Sequence, residues 1–379
     1  MHIAFLTPEY PHPRIQRAAG IGTSIKNLAI ALSRKHIQVT VFIYSQAEDT
    51  IIEEDGVTLH LIKHKKYPIG GWYLYRKHIN RYINTIVKQQ HIDAIEAPDW
   101  TGITAFMKFK IPVVIRLHGS DTYFCHLEGR PQKKKNFYFE KMALTSADYI
   151  LSVSAFTAQK TAELFGIKDT ITTIHNGVDV DAFTPDNSKI IPFSILYFGS
   201  VIRKKGVFSL AEAFNKVILQ EPNAQLTFIG KDVIDAKTGT STIALLQSIL
   251  NKEAIKQAKF TAQIPYSEVA NAIRSAQVVC LPSYAEAFPM TWLEAMALEK
   301  AMVTSDIGWA KELMIDGETG YIISPDDIQK LSEAIVRLLQ DMDLSKKMGV
   351  QARERILAHF TQDQIAEENI KFYKGIIAS

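Results

Sequence analysis

The 379-residue chain has only two cysteines, Cys125 and Cys280, far apart in its two halves. That scarcity excludes a disulfide framework and a cysteine-held metal site, and packing in a reducing cytoplasm is the expected use of both thiols. No apolar run approaches the length needed to cross a bilayer. The opening MHIAFLTPEYP has neither a basic leader nor a cleavage site, so it reads as a first strand and not as a signal peptide. Short tandem repeats and low-complexity tracts are also missing. A content of 47% hydrophobic and 22% charged residues excludes a disordered chain. The net charge of only +3 gives no reason to expect a nucleic-acid partner.

What charge there is lies unevenly. Up to residue 180 cations outnumber acids, beyond it the balance reverses, and every histidine except His359 falls in the first part. The basic excess gathers in KHKK (63–66), in Arg76, Lys77 and Arg81, and in KKK (133–135). Arg76, Lys77 and Arg81 stand among Trp72, Tyr73, Tyr75 and Tyr82, a mixture suited to an anionic membrane surface. Ordinary solvated charge gives the same pattern. The expected location is cytoplasmic, with peripheral contact at the inner face of the membrane through the first domain.

At this length two domains are the natural division. Short apolar β-like runs alternate with helical stretches: HIAFLT (2–7), VTVFIY (39–44), VTLHLI (57–62) after a polar excursion, IDAIEA (92–97), IPVVIRLH (111–118), YILSVS (149–154) and ITTIHNGV (171–178). The plan repeats with FSILYFGS (193–200), QLTFIG, KFTAQI, VVCLPS, AMVTS and GYIIS. Alternation of this kind predicts parallel sheets covered on both faces. NGVDVDAFTPDNSKIIP collects turn formers at the boundary, and residues 326–376 read as helical with breaks near Gly349 and around His359–Thr361. The expected domains are 1–182, 192–358 and a returning C-terminal helix, 359–379. Ligands in such folds lie outside the carboxyl ends of the strands.

Four features place candidate chemistry at those ends. AAGIGTS (18–24) is a glycine loop after the first strand, with Gly20 and Gly22 allowing close approach to an anion at the next helix start. It is not the dinucleotide fingerprint, because position 25 is Ile25. RLHGSD (116–121) sets His118 at the end of a buried run; a structural histidine is the competing reading, and Arg116 reads as strand packing or pairing. FGSVIRKKG (198–206) runs a strand into three consecutive cations and a glycine, suited to a diphosphate. EAFPMTWLE (286–294) brackets a helix start with two carboxylates. Pro289 suits the first helical turn, and the N–H groups of Met290, Thr291 and their neighbours point out of the helix end. A pair of glutamates that merely favour the helix is the plain alternative.

Together these features, with SVSAFTA (152–158), NGVD (176–179) and DGETGYIISPDD (316–327), resemble the retaining glycosyltransferases of the GT-B fold, family 4, over essentially the whole chain. The resemblance implies two Rossmann-like domains facing across a cleft, with C-terminal helices returning to the first. It implies a nucleotide-diphosphate-sugar donor held by the second domain and an acceptor hydroxyl, on a carbohydrate or a lipid-linked sugar, held by the first. No cofactor or metal is implied. Lys205 would neutralise the diphosphate, with Ser200 and Arg203 on the same loop. Glu286 would hold the transferred sugar, Phe288, Pro289, Met290 and Thr291 would surround sugar and phosphates, and Glu294 would bind the ribose. His118 would lie near the reacting carbon, and Gly20 and Gly22 would line the phosphates. Glu96, Asp99 and Trp100 of IEAPDW would face the acceptor, although a capped strand end reads equally well there. Three departures stand out: Ser200 replaces the usual arginine, ALEKA (297–301) the usual Ala-Cys-Gly, and Gly308-Trp309 a Gly-Gly pair. Arg203 is expected to supply the missing charge, and Trp309 to narrow a loop facing the donor. The implied setting is surface polysaccharide or glycolipid assembly. An epimerase or phosphorylase of the same fold, or a non-catalytic nucleotide-sugar-binding protein, are the competing readings. They are separated by turnover without acceptor, by a need for phosphate, and by binding without turnover.

Overall fold

The structure, a computed structural model, describes residues 1–15, 17 and 19–378; Ala18 of the AAGIGTS stretch lies outside them. The chain forms two compact units, Met1–Gly177 with Gln362–Ser379, and Val178–Thr361.

The first unit is built on strands β1 (His2–Thr7), β2 (Gln38–Gln46), β3 (Thr50–Glu54), β4 (Val57–Lys63), β5 (Ala94–Pro98), β6 (Val113–Leu117), β7 (Tyr149–Ser152) and β8 (Thr172–Thr173). They form one sheet in the order β3-β4-β2-β1-β5-β6-β7-β8. Every pairing is parallel except β3 with β4. The reason is visible in β1, a continuous apolar run that must be covered on both faces. Ile3 and Phe5 enter one core with the helix Gly20–Arg34 and with Ile365, Ala366, Tyr373 and Ile376 of the last helix, Gln362–Ala378. Ala4 and Leu6 enter the opposite core with Ile79 and Ile83 of the helix Gly71–Gln90. The polar excursion before β4 is a strand: Thr50–Glu54 alternates half-buried and exposed residues at the sheet edge. It is joined to β4 by Asp55 and Gly56, both at positive φ (52° and 75°). An Asp-Gly turn of this hand is what closes a tight hairpin.

The second unit carries β9 (Ser194–Phe198), β10 (Gln225–Ile229), β11 (Ala258–Thr261), β12 (Val278–Leu281), β13 (Ala301–Ser305) and β14 (Tyr321–Ile323). All are parallel, in the order β11-β10-β9-β12-β13-β14. The chain runs outward from β9 in one direction, then returns to start the other half at β12. The loops after β9 and β12 therefore part at the switch point, where such sheets bind ligands.

The terminal helical region breaks at Asp341, between Ile328–Gln340 and Met342–His359, and not at Gly349. The Asp341 carboxylate accepts from the Leu344 N–H and so starts a new helix. Gly349 lies within the second of these helices, and a Cβ there would stand 2.0 Å from the Glu299 carbonyl oxygen, so the glycine serves close packing and not a break. The expected break at 360–361 is present, and the helix beyond it belongs to the first unit.

Candidate active site

In the second unit, the end of β9 leads through Gly199 and Ser200 to a single 3₁₀ turn, Arg203–Lys205. Gly206 closes that turn at φ 70°, and a Cβ on it would lie 1.8 Å from the Pro282 carbonyl oxygen beyond β12. The two strand-end loops are thus pressed together, and the Tyr284 N–H donates to the Lys204 carbonyl oxygen (2.8 Å) across them. This approach sets the Lys205 Nζ against the Glu286 carboxylate as an ion pair. The Ser283 Oγ donates to the same carboxylate at 3.1 Å.

Arg203 is placed differently from the expectation that it replaces the arginine missing at Ser200. Its Nε and Nη2 bind both oxygens of the buried Asp235 (2.8 and 3.0 Å), and its guanidinium stacks on Phe208 at 4.2 Å. The Arg203 hydrogen bonds hold the Asp235 carboxyl down at about 2. A bidentate pair of this kind fixes the guanidinium geometrically, so its charge is committed within the protein. Ser200 is exposed, and its carbonyl oxygen accepts from the buried Tyr197 hydroxyl (2.7 Å).

The helix after Glu286 runs Met290–Ala297. Pro289 occupies the cap position with extended backbone, one residue ahead of its expected place. No side chain among the described residues caps this helix, so its first N–H groups keep the donor capacity and partial positive charge of a helix N-terminus. Thr291 is half-buried, whereas Phe288 and Met290 turn their side chains inward and offer backbone only. Glu294 is buried and accepts from the Tyr266 hydroxyl at 2.9 Å. Burial raises its carboxyl to about 7.

Trp309 does not narrow a donor-facing loop. It is fully buried against Trp292 (ring centroids 4.6 Å apart) and Phe288 (5.9 Å). Its Nε1–H donates to the Glu286 carbonyl oxygen at 3.0 Å. The bulky residue at a glycine position is a prop beneath the Glu286 loop.

In the first unit, AAGIGTS is not a loop at its glycines. The helix starts at Gly20, and the Gly22 N–H donates to the Glu9 Oε1 at 2.9 Å. Burial pushes the Glu9 carboxyl up, and the Gly22 and Ile21 amides pull it back. The helix end thus already faces a carboxylate of the chain itself. His118 follows β6 and is half-buried; burial and the neighbouring Arg116 push its imidazole down to about 3, so it is neutral.

The three residues of IEAPDW separate. Glu96 is turned into the fold, its two oxygens held by the Arg116 Nε and Nη2 (2.7 and 2.9 Å) and by the Tyr373 hydroxyl (2.7 Å). It does not face an acceptor, and Arg116 pairs as expected. Asp99 is 1% exposed and its Oδ1 accepts from the His118 N–H (3.0 Å), while Oδ2 has no partner among the described residues. Burial raises its carboxyl to about 8, so Asp99 is a neutral acid that positions the His118 backbone. Trp100 is half-buried against Phe124 (6.4 Å).

Asp99 gives a test by pH. A carboxyl raised on folding holds its proton in the native state where the unfolded chain has lost it. Its contribution therefore favours the fold below the ordinary 3.8 and is lost progressively as pH rises towards about 8. Asp99→Asn removes that loss, so its melting temperature is expected to gain on the wild type across this window and level off above it. A constant difference at all pH values would show that folding does not raise the Asp99 carboxyl.

Asp235, Ser283, Tyr266 and Glu9 are the site residues that sequence reasoning passed over. None sits in a recognisable spacing; each is found only when the loops are folded together. Among the described residues no cluster of three His, Cys, Asp or Glu side chains is placed to hold a metal ion.

Comparison with known proteins places the chain in a family. A model described as Glycosyltransferase Family 4 matches residues 18–182, and one described as Glycosyl transferases group 1 matches residues 185–355. The glycogen synthase of Mycobacterium tuberculosis is 25% identical over 290 residues, covering 74% of this chain and 68% of its own. Among solved structures, sucrose-phosphate synthase of Thermosynechococcus elongatus has a TM-score of 0.81 at 20% identity, covering 100% of this chain and 99% of that one. Anabaena HepE in complex with UDP-glucose has a TM-score of 0.75 at 19% identity, covering 99% and 100%. These two carry the fold, which is GT-B, and with nearly the whole length matched between the two models, the chain belongs to the family 4 glycosyltransferases.

Proposed function

We propose that the protein transfers a sugar, with retention of anomeric configuration, from a nucleotide-diphosphate-sugar to an acceptor hydroxyl. The observation that carries this reading is the meeting of Lys205 and Glu286 at the switch point of the second unit, beside the open helix end at Met290. Lys205 and the helix N–H groups of Met290 and Thr291 take the charge of the departing diphosphate. Glu286, held from behind by Trp309, binds the hydroxyls of the transferred sugar. Glu294 binds the ribose in exchange for its hydrogen bond from Tyr266. His118, neutral and fixed through Asp99, donates to the donor sugar, and Trp100 offers an aromatic face to a carbohydrate acceptor. The bond between the anomeric carbon and the diphosphate oxygen breaks, the acceptor oxygen bonds to that carbon on the same face, and the acceptor proton passes to the leaving phosphate oxygen. No cofactor enters these steps. HepE, whose complex holds UDP-glucose, supports a nucleotide-diphosphate-sugar as the donor class. The glycogen synthase relative supports a carbohydrate acceptor. We assign the reaction to surface polysaccharide or glycolipid assembly, with a lipid-linked sugar as the other acceptor class.

The test is a thermal-shift screen of UDP-, GDP- and ADP-sugars, followed by anomer assignment of the product by NMR. A donor at a hundredfold excess over its dissociation constant stabilises by about 2.7 kcal/mol, a rise of roughly 5 °C or more for a domain of this size. Stabilisation by none of the three, an inverted product, or conversion of donor without acceptor would each sink the reading.

A further inference from the structure

Beside the turn Trp100–Gly102, the first unit carries a surface whose exposed side chains have no part in the transfer reaction. It is made of three segments, 63–82, 101–111 and 130–139, none of which contains an aspartate or glutamate. Arg76 ties them together: it lies over the Phe139 ring at 4.7 Å and donates to the Thr101 and Gly102 carbonyl oxygens at 3.3 Å. The Trp72 ring rests on Phe106 (5.4 Å) and Phe139 (5.0 Å). On this base apolar groups stand out into solvent. Ile69, at the tip of the turn before the helix Gly71–Gln90, is 85% exposed, and Trp72 and Tyr138 are 43% and 56% exposed. Lysines surround them, with the Lys135 Nζ 5.4 Å from the Trp72 ring centroid and the Lys77 Nζ 5.5 Å from that of Tyr73. Lys65, Lys66, Lys133 and Lys134 are exposed beside them.

We propose that this surface docks the protein on an anionic lipid bilayer, with Ile69 and Trp72 entering the headgroup–acyl boundary and the lysines binding lipid phosphates. An aliphatic tip flanked by tryptophan and tyrosine is the composition that partitions to that boundary. Charge complementarity selects an anionic leaflet, because each lysine near such a surface adds to the attraction. The chemistry of the cations selects lipid over a protein partner. Arg76, with its fixed fork, is stacked inward, and what remains outside is mainly lysine. Lysine is a point charge on a flexible stem, matched to a fluid array of phosphates and poorly matched to a fixed pattern of carboxylates. The inference stands independently of the reaction above, since docking needs neither donor nor acceptor.

The full chain is sedimented with vesicles of phosphatidylcholine alone and with vesicles of equal parts phosphatidylcholine and phosphatidylglycerol. Binding is expected to the mixed vesicles only and to weaken as salt is raised. The triple variant Lys133→Ser, Lys134→Ser, Lys135→Ser is expected to lower partitioning roughly a hundredfold, at about fivefold for each cation lost. Ile69→Ser is expected to lower it on the order of tenfold. All four positions are exposed, and serine at 133 suits the cap of the helix Lys134–Thr145, so the melting temperature should stay at the wild-type value. Quenching of Trp72 fluorescence by brominated lipid, absent in Trp72→Phe, reports entry into the bilayer. The proposal is overturned by a wild type that ignores mixed vesicles, by variants that bind them as tightly as the wild type, or by binding to soluble polyglutamate without binding to vesicles.

Discussion

Replacing Lys205 with alanine is expected to lower the turnover of sugar transfer by about a thousandfold at saturating donor, the upper range for removing one preorganised group that stabilises developing charge. The size of the loss follows from what surrounds the lysine. Arg203, its neighbour in the same turn, is bound through Nε and Nη2 by Asp235 and stacked on Phe208, so it cannot move in as a substitute. The remaining stabilisation of the diphosphate falls to the uncapped helix at Met290. Stability should change far less. Glu286 loses its cation but keeps the Ser283 hydroxyl, and the pair is partly open to water, with side-chain exposures of 21% and 11%. A loss of about 1–2 kcal/mol is expected, visible as a fall of a few degrees in melting temperature. Measured together, kcat and Tm separate the two roles. A variant that keeps turnover within tenfold of wild type would remove Lys205 from the chemistry, whatever its Tm.

The second large effect is on folding. Gly206→Ala places a methyl group 1.8 Å from the Pro282 carbonyl oxygen, at a residue with φ 70°. Main chain on both sides prevents a cheap escape, so the two strand-end loops must part. A destabilisation of about 3–5 kcal/mol is expected, in the range that marks a steric collision in a packed region. Gly239→Ala is the control: its φ is 71°, yet nothing lies within 4 Å of the added Cβ. There the left-handed backbone alone should cost roughly 1–2 kcal/mol. Denaturant midpoints that fall equally in the two variants would show that the approach of the loops contributes nothing.

The sequence carried the strands and the site motifs because both are written in short range. A buried parallel strand is a continuous apolar run, and thirteen such runs are recognisable without contacts; only the edge strand Thr50–Glu54 was missed, half-polar as it is. Glu286, Pro289 and Glu294 were legible for the same reason, since a helix start fixes the placement of residues a few positions apart. What was not legible depends on which distant group reaches a side chain first. Arg203 looks like a phosphate ligand until Asp235, in a loop after β10, takes its Nε and Nη2. Glu96 looks like an acceptor carboxylate until β5 and β6 pair and bring Arg116 alongside it. Trp309 looks like an obstruction in a donor loop, and only its burial against Trp292 turns it into a support. The glycine stretch at 18–24 misled by one detail of local geometry: the helix begins at Gly20, and Glu9 reaches its amides.

The last helix has a consequence for how the chain reaches its native state. Tyr373 and Asn369 contact Glu96 and Arg116 across 277 and 253 residues of sequence. During synthesis the first unit emerges with a buried arginine and glutamate whose remaining partners do not yet exist. The whole of Val178–Thr361 can be made, and can fold, before those partners appear. The first half of the chain to be translated is therefore the last to be finished. Until then it exposes the apolar face that Ile365, Ala366 and Ile376 later cover, which makes the nascent chain a natural client for chaperones. Refolding in vitro should likewise end in a slow step, because the closing contacts are among the most distant in the sequence.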